Sequence, residues 1–87
     1  MATKAPSSIK AAPSDTLENI AYSSVAAVPT LEPHDRDRLG YCVWVWLKHR
    51  RDPLEVVMKT ANARLLITEE EALERVKQGL QTRGISL

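Results

Sequence analysis

The stretch Tyr41-Cys42-Val43-Trp44-Val45-Trp46-Leu47 constrains this chain more than any other, because it is the longest apolar run and carries both tryptophans. At about seven residues it is far short of the roughly twenty that a membrane-spanning helix requires, so it belongs to a packed domain and no membrane span is expected. Two local structures compete for it. Leu39, Cys42, Val43, Trp46, Leu47 and Arg50 recur at intervals of three and four, which with Asp35 as a cap predicts a helix over residues 35–51. Against this, the run comes after Gly40 and is rich in aromatic and β-branched residues. A buried strand over 41–48, with Tyr41, Val43, Val45 and Leu47 on one side, is the alternative. The helix is preferred, and it raises a question. Its second face carries Tyr41, Trp44 and Val45, and a helix apolar almost all round is buried on both sides. Something has to cover those three residues: the chain's own N-terminal helix, a second copy, or another protein.

Helix punctuation organises the rest of the chain. Asp52, Pro53 and Glu55 supply a cap, a first-turn proline and a third-position acid, predicting a helix over 53–64 with Leu54, Val57, Met58, Ala61 and Leu65 on its apolar stripe. Asn62 favours an early end to it. Thr68 with Glu71 forms a capping box, Glu69 and Glu70 complement the positive end of the dipole, and Gly84 offers a left-handed stop. These signals predict a helix over 69–83 that buries Ala72, Leu73, Val76 and Leu80. Upstream, Pro29 and Pro33 mark 29–34 as a linker. Asp15 with Glu18 and an apolar face of Leu17, Ile20, Ala21, Ser24 and Val28 predict a short helix over about 15–27. Residues 1–14 hold almost no large apolar side chains and read as flexible. The expected architecture is all-α: a three-helix domain over 35–87 behind a flexible arm and linker over 1–34. The strand alternative would make it α+β.

Few residues here could perform chemistry. Cys42 and His49 are seven apart on the predicted helix, about 10 Å along its axis at 1.5 Å per residue, too far to act as nucleophile and base. A closed zinc site wants four ligands, and His34, Cys42 and His49 are the whole supply of His and Cys. Gly40, Gly79 and Gly84 are too scattered for a phosphate-cradling loop. The reading is no enzyme, no metal and no cofactor. One cysteine excludes an internal disulfide, and no apolar signal segment comes after Lys4 and Lys10, so an intracellular, cytoplasmic location is expected.

A net charge of +1 gives no global attraction to nucleic acid, leaving local features to carry function. Lys48, Arg50, Arg51 and Lys59, with His49 and Arg64 near them in sequence, could form phosphate contacts. Cations in a last helical turn also complement its negative end without any ligand. A helix-turn-helix reading is disfavoured by its recognition helix, where Glu69, Glu70 and Glu71 would meet phosphates, which leaves non-specific or RNA binding through the basic cluster. The favoured function is therefore a non-catalytic adaptor or regulatory subunit that docks on a larger protein, or on its own copy, through Tyr41, Trp44 and Val45. The rival is a small nucleic-acid-binding regulator using the basic cluster 48–51.

Overall fold

The computed structural model describes residues 16–87, which form four helices: α1 (Leu17–Val25), α2 (Pro33–His49), α3 (Leu54–Thr60) and α4 (Glu69–Thr82). The all-α class is as expected. The strand alternative over 41–48 is not realised, since that segment lies wholly inside α2. Among the described residues the β pairing is one isolated antiparallel bridge, Thr30 with Leu65. The segment 1–14, expected to be flexible, lies outside the described residues.

Local chemistry sets each boundary. In α1 the cap is Thr16, one residue after Asp15, and its hydroxyl accepts the Asn19 N–H at 3.1 Å. Helix α2 starts at Pro33, two residues ahead of the expected Asp35 cap, because proline's fixed φ and missing N–H suit a first helical turn. Asp35 is thereby drawn inside the helix and fully buried. It accepts from Arg38 at 2.8 Å and pairs with Arg64 of the α3–α4 connection at 3.6 Å. Helix α2 stops where Arg50 turns left-handed, at φ 52°.

Helix α3 is shorter than the expected 53–64. It ends at Thr60, and Asn62 then takes a positive φ of 53°. The Asp52 side chain does not cap it; the Asp52 carbonyl instead accepts the Trp46 Nε1–H at 2.8 Å, fixing the α2–α3 corner. Helix α4 matches its expectation closely. Thr68 Oγ1 accepts the Glu71 N–H at 3.1 Å. At the other end Gly84, φ 89°, closes a Schellman motif with Ile85 N–H to Leu80 O and Gly84 N–H to Gln81 O, both 3.0 Å.

All four helices feed one core, which takes Ile20, Ala21 and Val25 from α1 and Val28 just after it. To these are added Leu39, Val43, Trp46 and Leu47 of α2, Leu54 and Met58 of α3, and Ala72, Val76 and Leu80 of α4. The short first helix, assigned to the arm on sequence grounds, is thus an integral layer packed against both α2 and α4. Two glycines permit its close approach. A Cβ on Gly40 would lie 2.6 Å from Tyr22 Cε1, and one on Gly79 would lie 3.0 Å from Ser24 Cα. Val25 and Val28 are fully buried, and burial of such a side chain stabilises by about 1.5–3 kcal/mol. Against a total stability of about 5–15 kcal/mol for an ordinary domain, that contribution is substantial. The connections close the far end: Leu31 N–H donates to Arg64 O and Leu66 N–H to Pro29 O, each at 3.0 Å.

Candidate docking face

The outward side of α2 is its aromatic side. Positions three and four apart on a helix share a face, which gathers Tyr41, Trp44, Val45 and Lys48 into one stripe. Tyr41 is 55 % exposed, while Trp44 and Val45 are half-buried. The Tyr41 and Trp44 rings meet edge to face, centroids 5.8 Å apart at 72°. Lys48 Nζ sits 4.5 Å from the Trp44 ring centroid. Tyr41 and Lys48 both contact Trp44, so the stripe presents an aromatic surface with a cation at one end.

Helix α1 could have covered this stripe, and it does so only at the edge. Its Tyr22 ring lies against Gly40, beside the stripe, leaving Tyr41 open to solvent. Burial, and then the negative charges of Glu18 and Asp37, push the Tyr22 hydroxyl above its ordinary value of 10.0. Of Tyr41, Trp44 and Val45, Tyr41 is the one left largely open, whereas Trp44 and Val45 are partly buried and Trp44 packs against the core.

The candidate phosphate contacts do not converge. Lys48 is committed to Trp44. Arg50 lies 4.3 Å over the Trp46 ring and donates to the Ser86 carbonyl at 2.7 Å, which fixes the C-terminal tail to the end of α2. Lys59 stands on α3, 4.0 Å from Glu55, and lines a different surface. Of these four cations, Arg51 alone is exposed without an ion pair, side-chain hydrogen bond or ring contact among the described residues. Arg64 lies between Glu32 at 3.7 Å and Asp35 at 3.6 Å.

The remaining reactive groups are structural neighbours. Cys42 Sγ lies 3.7 Å from Thr60 Oγ1, joining α2 to α3, and His49 borders a small cleft of about 170 Å³ with Val45 and Arg51. Among the described residues no cluster of His, Cys, Asp and Glu could hold a metal ion, and no helix is long and apolar enough to cross a membrane.

Sequence reasoning missed one surface. Between α3 and α4 lies a groove of about 320 Å³, floored partly by Leu65 and Leu73, both of which helical periodicity assigns to buried faces. Both are only half-buried, and α3 ends at Thr60, short of Leu65. Asn62 is the signal in the sequence: an early stop for α3 implies an open flank. No family model, curated protein or solved structure matches this chain.

Proposed function

We propose that this protein is a non-catalytic interaction module, an adaptor or regulatory subunit, that docks on a larger protein through Tyr41, Trp44 and Val45. The observation carrying this reading is Tyr41 on the outer face of α2, 55 % open to solvent and in edge-to-face contact with the partly buried Trp44. Aromatic side chains pre-ordered by neighbours lose little entropy on binding, and tyrosine and tryptophan dominate interface hot spots. A reducing, cytoplasmic setting suits the lone half-buried Cys42.

The rival nucleic-acid reading draws less support, because Lys48, Arg50 and Lys59 each have a local partner and only Arg51 of the four is free among the described residues. The test is affinity purification of the tagged protein from its native cells, with and without nuclease. It is run on the wild type, Tyr41→Ala and Arg51→Gln. A stoichiometric protein companion that survives nuclease, persists with Arg51→Gln and is lost with Tyr41→Ala is the expected result. Retention of that companion by Tyr41→Ala would remove the aromatic face from the proposal. Loss of every companion after nuclease, together with loss in Arg51→Gln, would transfer the function to nucleic-acid binding. Sedimentation of the purified chain identifies the homodimer, the form in which the partner is a second copy.

A further inference from the structure

We infer that the groove between α3 and α4 is a second docking site, and that its occupant is a cationic amphipathic segment of another protein. One large apolar side chain of that segment rests on the groove floor, and Lys or Arg beside it meets Glu69 and Glu70. The groove's volume, about 320 Å³, falls at the lower end of ligand-binding clefts, which run about 300–1,000 Å³. At its floor the half-buried Leu65 and Leu73 offer apolar surface, with Leu39 and Met58 buried beneath them, and polar groups make up the rest of the lining. Its rim is not neutral. On the α3 wall Glu55 and Lys59 stand 4.0 Å apart and offset each other. On the α4 wall Glu69 and Glu70 are exposed, and neither makes an ion pair or hydrogen bond with its side chain among the described residues. The third acid of that turn, Glu71, is already held by Arg75 at 3.1 Å.

Acids in a first helical turn are ordinary, since the dipole there is equivalent to about half a positive charge. Two carboxylates exceed that compensation, so the mouth of a groove with apolar surface at Leu65 and Leu73 carries surplus negative charge. An anionic or purely apolar occupant would leave these carboxylates repelled or desolvated without a partner. A segment that pairs an apolar anchor with Lys or Arg satisfies both floor and rim, the helix-in-groove mode of recognition. This site is independent of the aromatic face. Leu39 and Tyr41 are two residues apart on α2, a rotation of about 200°, so groove and stripe face nearly opposite ways.

The experiment is a two-dimensional amide NMR titration of the full chain with two synthetic probes. One is a short leucine–lysine peptide patterned to be amphipathic as a helix; the other is the same peptide with every lysine replaced by glutamate. The expected result is that the lysine peptide shifts the amides of Ala63, Leu65 and Leu73, that added salt weakens it, and that the glutamate peptide does not bind. Glu69→Gln/Glu70→Gln weakens the lysine peptide by about fivefold, the size set by two solvent-exposed charge pairs. Tyr41→Ala leaves it unchanged. Equal binding of both peptides, or shifts centred on Tyr41 to Lys48, would overturn the assignment. So would movement of the groove amides on simple dilution of the free protein, which would make a second copy the occupant. If circular dichroism shows that the double variant loses helix, the comparison of the two peptides on the wild-type chain decides the matter alone.

Discussion

Gly40 shows how much can rest on the absence of one carbon. Alanine there gains helix propensity of about 1 kcal/mol, yet its Cβ would press into the Tyr22 ring, 2.6 Å from Cε1. Overpacking of that kind costs about 1–3 kcal/mol, so Gly40→Ala is expected to destabilise the fold, as a lower urea midpoint. Tyr22 ties stability to pH at the alkaline end. Its folded-state pKa is raised, so the native state holds the phenolic proton more tightly than the unfolded chain does. The stability tied to that proton is fully present below about pH 10, the unfolded value, and is lost as pH rises through the raised one. Melting the wild type and Tyr22→Phe from pH 8 to 11 (about one unit steps) should show the wild type losing more stability at the alkaline end. Neither effect is visible in the sequence. There Gly40 is only the residue ahead of an apolar run, because a packing glycine is recognised by its partner, and Tyr22 lies on another helix.

At the scale of elements, legibility depends on how locally each boundary is encoded. The start and stop of α4 lie in its own adjoining residues, Thr68 with Glu71 and Gly84, and sequence places both closely. Removing the cap hydroxyl, Thr68→Ala, should cost about 1 kcal/mol, measured by chemical denaturation. The start of α2 is misplaced from sequence because Asp35 resembles a cap, while its actual role as a buried partner of Arg38 and Arg64 depends on a distant loop. Helix α3 is shorter than its pattern suggests; the hint at Asn62 is outweighed by an apolar stripe that continues to Leu65. The helix-or-strand ambiguity over 41–48 matters for function, since a strand would have put Trp44 and Trp46 on one face. As a helix the segment sends Trp46 inward to the Asp52 carbonyl and Trp44 outward beside Tyr41, so the candidate stripe read from sequence stands together in space.

For the molecule as a whole, the decisive fact is that α1 joins the core. Sequence alone places the packed unit at 35–87, since two prolines separate α1 from the other three helices. Proline breaks a helix, but it does not prevent the chain from folding back, and the paired backbone of Pro29 to Leu31 against Arg64 to Leu66 secures that return. A chain truncated to residues 30–87 forfeits Ile20, Ala21, Val25 and Val28 and exposes the surfaces at Gly40 and Gly79. It is expected to lose most of its helical circular dichroism, and a cooperative melt from that fragment would disprove the integral role of α1. The aromatic stripe and the acidic-rimmed groove then belong to a unit whose core includes its first helix.

The unlike settings of the two tryptophans give this protein a built-in optical readout. One indole is buried, with its N–H fixed to a backbone carbonyl under the Arg50 guanidinium; the other is partly buried against the core and flanked by a tyrosine and an ammonium group. Their combined emission is expected to move to the red as the chain unfolds, and iodide is expected to quench the more accessible Trp44 first, less so when the face it borders is covered. Folding and docking can thus both be followed on the native chain without a label.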